Sequence, residues 1–405
     1  MSEQDPIVIV GGGHAGAQLC AGLVAAGLGR EVHLVCEEAD LPYQRPPLSK
    51  AFLKSPDEVL QLHRAASWFA EAGIRLHQCD PALAIDRAGR TVQLRSGLRL
   101  PYRHLVLATG TRARRLPHLP DGLSNVAVLR AAADAAWWRE RLPGIARLTV
   151  VGGGFIGLEV AATARALGKE VEVLESAPRL LMRSVSPELA EHVQQVHRTS
   201  GMQLRLGVAV GGFEVVGDRL MALAVEGVRQ DVDMLLLGIG AVPEHALATQ
   251  AGLACDNGIV VDEHMRTSDP AILAIGDCSS FPEPTSGRRL RLESVQNAND
   301  QAKAAVGTLT GHDAPYKALP WFWSEQGALR LQMAGLMPAD GVRHRRPGAA
   351  PTSFSLLQYV GDRLVSVESV NAPADHMAAR KLLEAQRSPA PELACDPTRP
   401  LKSFF

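Results

Sequence analysis

The chain has 405 residues, 46% hydrophobic and 21% charged, and a formal charge of −1 at pH 7. At roughly 150 residues per domain, that length exceeds one ordinary domain and supports sizeable cores. The near-neutral balance offers no electrostatic case for nucleic acid or a membrane surface as partner, and no apolar run approaches the ~18 residues of a spanning helix. MSEQDPIVIV enters a strand at once, without a basic leader or a cleavage site, so a cytoplasmic location is expected.

In chain order, residues 7–10 form a β-branched run suited to a buried parallel strand. Gly11, Gly13 and Gly16 then give G-x-G-x-x-G, and an alanine-rich stretch predicts a helix. EVHLVCEE predicts a second strand with Glu37 at its tip. Glycines so spaced permit a tight turn, let a pyrophosphate approach the backbone, and let the helix pack close on the strand. The helix N-terminus offers unpaired N–H groups to phosphate, and the terminal acid accepts from ribose hydroxyls. The segment 41–54, LPYQRPPLSKAFLK, carries two prolines that stiffen a loop ahead of Ser49 and Lys50. The six cysteines (Cys20, Cys36, Cys79, Cys255, Cys278 and Cys395) form no Cys-x-x-Cys pair and no zinc-like cluster. They read as small buried hydrophobes, and no metal site is expected.

LVLATGTRAR (105–114) ends a strand, and AAADAAWWRERLP predicts a helix in which Trp137 and Trp138 pack. Residues 148–176 then repeat the opening pattern, with Gly152, Gly154 and Gly157 after LTVV and Glu175 closing EVEVLE. One such loop is a weak signal. Two, each with strand, helix, strand and acid in order, indicate two bound nucleotides. The loops differ two residues past the last glycine, where Gln18 stands in the first and Glu159 in the second. Glu159 lies among Leu158, Val160, Ala161 and Ala162. A carboxylate there either reaches solvent or meets a polar partner, a cofactor or a lysine.

TSDPAILAIGDCS (267–279) runs a strand into Gly276 and Asp277. From about Tyr316, ALRLQMAGL, SFSLLQYVGDRLVSVESVN and ADHMAARKLLEAQ predict strands followed by one helix. Trp321 and Trp323, at alternate positions, either wall a ligand or form strand core. Two basic clusters, Arg288/Arg289/Arg291 and Arg343/Arg345/Arg346, read equally as docking patches or solvated loops.

Both loops in this order, with the Ala-Thr-Gly and Gly-Asp segments, resemble the two-dinucleotide flavoprotein reductases. Those proteins hold FAD at the first loop and a nicotinamide nucleotide at the second. The resemblance covers nearly the whole chain and implies an α/β fold: two Rossmann-like dinucleotide-binding domains, glutathione-reductase-like, plus a C-terminal α+β domain. Residues 1–110 and 234–315 would form a discontinuous FAD domain, 111–233 the NADH domain and 316–405 the C-terminal domain. Disulfide reductases carry a redox-active cysteine pair where this chain has 41–54, which holds no cysteine. RPPLSK, ESVQNANDQA (293–302) and PWFWSEQ (320–326) resemble the ferredoxin reductases of bacterial oxygenase systems. Their partners are two-iron two-sulfur ferredoxins that serve haem monooxygenases or ring-hydroxylating dioxygenases.

By position against that group, FAD contacts fall on Ala15, Glu37, Lys50, Ala82, Arg130, Asp277 and Val295. Gly11, Gly13, His14, Gly16 and Trp323 join them. For NADH the resemblance implies Gly152, Gly154, Phe155, Ile156, Gly157, Glu159, Glu175 and Gly238. Lys50 and Glu159 take the catalytic roles. Lys50 would set positive charge beside the flavin ring, and Glu159 would pair with it or orient the nicotinamide carboxamide. Glu175 would accept from a 2′-hydroxyl and repel a 2′-phosphate, which favours NADH, and Arg179 lies four residues on. The ferredoxin is expected to be acidic and its contact transient, with the reductase a monomer or a homodimer. Alternatives are a rubredoxin reductase, an NADH:quinone or oxygen oxidoreductase, and an NADH-sensing flavoprotein similar to apoptosis-inducing factor. The near-neutral, untagged chain speaks against the last.

Overall fold

A computed structural model describes residues 6–284 and 287–405; residues 1–5, just before the first strand, lie outside that range. The chain forms two compact units. One comprises Met1–Arg45, Leu60–Arg112 and Ala241–Ala318, the other Pro46–Val59, Ala113–Gly240 and Leu319–Phe405.

In the first unit, five parallel strands lie in the order Ile272–Ala274, His104–Leu107, Ile7–Val10, Val32–Val35, Arg75–His77. Ile7, Val8 and Ile9 are fully buried, as a strand covered on both faces requires. The chain winds outward from Ile7–Val10 in both directions, so the strand order reverses there, the place where such sheets bind ligands. Helix His14–Ala25 packs on helix Val295–Thr310, whose N-cap Ser294 accepts from the backbone N–H of Asn297.

The second unit repeats the design. Its parallel sheet runs Gln203–Leu206, Glu170–Glu175, Arg147–Val151, Met234–Leu237, Val126–Ala127. Trp138, on helix Ala132–Arg141, is fully buried and donates its Nε1–H to the Val128 carbonyl at 2.9 Å. The stiffened loop of the sequence folds here as a 3₁₀ turn, Pro46–Ser49, and a short helix, Ala51–Lys54. Phe52 lies under the Arg139 guanidinium at 4.1 Å, and Arg139 also donates to the Glu58 carbonyl at 2.8 Å.

The C-terminal region adds a five-stranded antiparallel sheet, ordered Trp321–Gln326, Leu329–Gly335, Arg363–Val370, Phe354–Val360, Val342–Pro347, followed by helix Pro373–Glu384. Alternation along Trp321–Gln326 sends Phe322, Ser324 and Gln326 to one face and Trp321 and Trp323 to the other. The α/β class with a C-terminal α+β part is therefore as expected. Among the described residues, no helix is long and apolar enough to cross a membrane.

Candidate functional site

The two glycine loops have the same physical construction. Gly11 has φ +115°, and a Cβ there would lie 2.2 Å from the Ala108 carbonyl oxygen; one on Gly16 would lie 2.0 Å from the Gly11 carbonyl oxygen. In the second loop, Gly152 has φ +107° with the Gly238 carbonyl oxygen 2.4 Å from its would-be Cβ, and Gly157 meets the Gly152 carbonyl oxygen at 2.6 Å. These outer glycines are demanded by the protein's own backbone. The middle ones are not. A Cβ on Gly13 would meet nothing within 4 Å, and one on Gly154 only the Gly238 carbonyl at 3.8 Å. Both middle glycines are the N-caps of their helices, with no side chain to receive the first N–H groups. An open space in front of uncapped helix N–H groups, at two places, fits two pyrophosphates.

Around the first loop, Ala15 is buried and His14 sets its ring edge-on to His63 at 4.7 Å. Glu37 is exposed beyond the tip of its strand. Its neighbour Glu38 is engaged instead, accepting from Tyr43 Oη at 2.5 Å and from Arg45 Nη2 at 2.6 Å. Burial opposes the charge on Arg45, but Tyr43, Glu38 and Asp277 outweigh it and hold the guanidinium above its ordinary value. Asp277 lies in the turn Gly276–Cys278. That turn is pinned by fully buried Gln301, whose Oε1 accepts from Gly276 N–H at 2.7 Å and Ser279 Oγ at 2.8 Å. Val295 opens the helix that carries Gln301, and Ala82 packs against the core of this unit at the start of its strand. Two cysteines belong to the same region. Burial pushes the Cys36 thiol up to about 12, with Glu38 adding to the shift, and burial raises Cys278 as well. Both are held protonated and unreactive.

In the second loop, Phe155 packs on Phe322 with ring centroids 4.7 Å apart, and Ile156 stays 48% exposed on the first helical turn. Glu175 braces the loop, its Oε2 accepting from Gly153 N–H at 2.5 Å and its Oε1 from Ala177 N–H at 2.7 Å. Arg179 turns away, giving its guanidinium to the carbonyls of Val185 (2.9 Å) and Met182 (2.8 Å).

Glu159 is 4% exposed and its polar partner is the lysine: Lys50 Nζ lies 2.6 Å from Oε2. Ser49 Oγ donates to the same oxygen at 2.5 Å and Ser324 Oγ to Oε1 at 2.7 Å. Thr163 Oγ1 ties the Ser49 carbonyl to the same helix at 2.8 Å. An ionised carboxylate so surrounded has strong donors on both oxygens, which is the condition for keeping a charge in an apolar helix start. The structure thus joins Lys50 and Glu159, two residues 109 positions apart. Arg130, with its backbone N–H on Asp134, and half-buried Trp323 also belong to the second unit.

The basic clusters are largely occupied. Arg346 is buried, donates to the carbonyls of Ala394, Asp396 and Arg399, and lies 3.1 Å from Asp375. Arg345 pairs with Glu188 and covers the Phe354 ring. Arg289 donates to the Ser280 and Val261 carbonyls, and Arg291 pairs with Glu293 at 2.6 Å. Most of these guanidiniums hold the fold together, which a charge run in a sequence does not reveal.

A family model described as pyridine nucleotide-disulphide oxidoreductase matches residues 5–302, and one described as reductase C-terminal matches residues 321–405. Rhodocoxin reductase of Rhodococcus erythropolis is 42% identical, over 98% of this chain and 93% of its own length. The ferredoxin reductase for the CYP199A2 system from Rhodopseudomonas palustris superposes with a TM-score of 0.93 at 41% identity, covering 98% of this chain and 99% of that one. The reductase in the covalent putidaredoxin reductase–putidaredoxin complex gives 0.93 at 39% identity, covering 100% of this chain and 98% of its own.

Proposed function

We propose, for a chain that belongs to the pyridine nucleotide-disulphide oxidoreductase family, the activity of an FAD-dependent NADH:ferredoxin reductase. Electrons enter from NADH and leave to a ferredoxin that serves an oxygenase. FAD, when bound, supplies the conversion between a two-electron donor and a one-electron acceptor. The chain itself binds, orients and sets charge.

One observation carries the reading: two open, uncapped glycine cradles occur in a chain whose segment after the first one delivers Lys50 to Glu159 rather than a cysteine pair. We assign the FAD pyrophosphate to Gly11, Gly13, His14 and Gly16, with Ala15, Glu37, Ala82, Arg130, Asp277, Val295 and Trp323 as further contacts. Residues 1–110 and 234–315 then form the FAD domain, 111–233 the NADH domain and 316–405 the C-terminal domain. Lys50 favours the reduced, negatively charged flavin. NADH falls to Gly152, Gly154, Phe155, Ile156, Gly157, Glu159 and Gly238, with Glu175 at its ribose.

The preference for NADH over NADPH has a physical basis in this chain. Glu175 brings negative charge to the second strand's end, and Arg179, four residues on, spends its donors on its own loop. A 2′-phosphate would meet repulsion from that carboxylate. The ferredoxin is of the two-iron two-sulfur type and acidic, engaged transiently. Arg288 and Arg343 are exposed members of the two clusters and carry positive charge at the surface. The reductase works in the cytoplasm, where its six free thiols stay reduced, as a monomer or homodimer.

The test is purification followed by visible absorption and anaerobic NADH titration. After it come steady-state assays with two-iron two-sulfur ferredoxins, rubredoxin and quinone side by side. A flavin spectrum bleached by NADH, with fastest turnover on a two-iron two-sulfur ferredoxin, is the expected result. A colourless protein that takes up no FAD, or turnover that prefers rubredoxin or quinone, would refute the reading.

A further inference from the structure

The Glu159 carboxylate is the end of a longer buried chain. Ser324 Oγ, which donates to Glu159 Oε1, itself accepts from Gln326 Nε2 at 3.1 Å. Gln326 Oε1 is 2.8 Å from His197 Nε2. An amide oxygen only accepts, so that contact makes His197 the Nε2–H tautomer. Burial holds His197 below its ordinary value despite the bond to Gln326, which keeps the ring neutral. Every donor in the chain therefore points the same way, from imidazole to amide to hydroxyl to carboxylate. Ser324, Gln326 and His197 are all buried, with exposures of 0%, 1% and 2%.

The elements explain how distant residues come together. Ser324 and Gln326 share one face of strand Trp321–Gln326, the face that lies against helix Phe155–Ala166 with its Glu159. His197 closes the chain from helix Pro187–Thr199. A buried polar chain bonded at every link favours that geometry, because rotating a link leaves a donor or acceptor without its partner.

We infer that Ser324 is a positioning residue for Glu159, and that Gln326 and His197 hold Ser324 in place, so the C-terminal sheet orients the carboxylate that serves hydride delivery. This rests on the proposed role of Glu159 in the NADH half-reaction. Lys50 binds Oε2 and Ser324 binds Oε1, so between them they fix the carboxylate plane. Without the serine hydroxyl, Oε1 of this buried carboxylate loses its donor. The carboxylate then turns toward Lys50 and away from the nicotinamide.

The experiment is anaerobic stopped-flow reduction of the FAD-loaded enzyme by NADH, giving a limiting rate and an apparent Kd, for Glu159→Gln, Ser324→Ala, Gln326→Met and the Ser324→Ala/Glu159→Gln double variant. Ser324→Ala is expected to slow the limiting rate about tenfold while leaving the apparent Kd within about twofold. Gln326→Met should slow it about threefold. The double variant should be no slower than Glu159→Gln alone, because the serine acts through the carboxylate. If Glu159→Gln slows reduction but Ser324→Ala does not, or if the two losses multiply, the inference falls while the role of Glu159 stands. If Glu159→Gln reduces at the wild-type rate, that role fails and the inference fails with it. Should Ser324→Ala not fold, a wild-type rate in Gln326→Met overturns the inference alone.

Discussion

The middle glycine of the second loop separates what the fold needs from what the ligand needs. Gly154 has φ −83° and ψ 175°, a conformation alanine adopts freely, and its would-be Cβ is 3.8 Å from the nearest protein atom. In Gly154→Ala the protein should lose about 0.5–1 kcal/mol at most, the ordinary difference between glycine and alanine at an N-cap. The methyl group would instead stand where the proposed site brings the pyrophosphate to the helix N–H groups. Forfeiting one charge-assisted hydrogen bond removes about 1.5–3 kcal/mol of binding, so the Kd for NADH should rise roughly 10- to 150-fold. Gly157→Ala should behave in the opposite way. Its Cβ would lie 2.6 Å from the Gly152 carbonyl oxygen and 3.2 Å from Val150 Cγ1, so the backbone must move, at about 1–3 kcal/mol of stability. The assays are thermal melting of the FAD-loaded enzyme and equilibrium titration of the oxidised enzyme with NAD⁺ and of a non-reducible NADH analogue. Unchanged flavin content, a melting point within a few degrees of wild type and weakened dinucleotide binding in Gly154→Ala are expected. Wild-type affinity in that variant would refute the assignment of the second cradle.

Three further outcomes are expected. Lys50→Met leaves the Glu159 carboxylate with only hydroxyl donors; it should destabilise the enzyme by about 2–3 kcal/mol in urea melts and slow flavin reduction by NADH, and an unchanged flavin potential would show the lysine to be remote from the ring. Glu175→Gln removes the repelling charge yet keeps an acceptor for Gly153 N–H, so the ratio of kcat/KM for NADH over NADPH should fall about tenfold, measured at low concentrations of both nucleotides. His33 and His376 are held down to about 4, burial being the main cause in each, so below pH 6.5 the unfolded chain binds protons the folded one does not. Stability is then full above pH 6.5 and falls towards pH 4 by about 1.4 kcal/mol per pH unit for each histidine, and urea melts of His376→Phe across that range should show a shallower decline.

The parts of the site that a sequence exposes are those whose cause is local. Gly11, Gly16, Gly152 and Gly157 are required by contacts within their own loops or with an adjacent strand, so spacing alone reveals them. Glu159 was legible for a different reason, a charge set among apolar helix neighbours that had to find a partner. Its companions were not. Ser324 lies 165 positions away, and a serine in a strand looks the same whether it faces water or a buried carboxylate; only the alternation of PWFWSEQ, set against a known inward face, could have singled it out. Arg45 offers no such signal, because nothing in or around RPPLSK marks its pairing with Glu38. The arginine clusters illustrate the converse, since charge runs carry no sign of the carbonyls of Ala394, Asp396 and Arg399 that Arg346 satisfies.

The contrast between Gln18 and Glu159 follows from what covers each helix, not from the loops, which are built alike. Helix His14–Ala25 lies against helix Val295–Thr310 in a unit where Gln18 stays half-exposed. Helix Phe155–Ala166 is covered by the turn Pro46–Ser49 and by strand Trp321–Gln326, which bring a lysine and two serine hydroxyls to a single point. A carboxylate is tolerable on the second helix because those segments supply its donors, and the first helix carries a neutral amide at the matching position. Duplicating a dinucleotide unit therefore gives two binding loops but only one place for a buried ion pair. The buried carboxylate of this chain owes its place to the segments laid over the second copy.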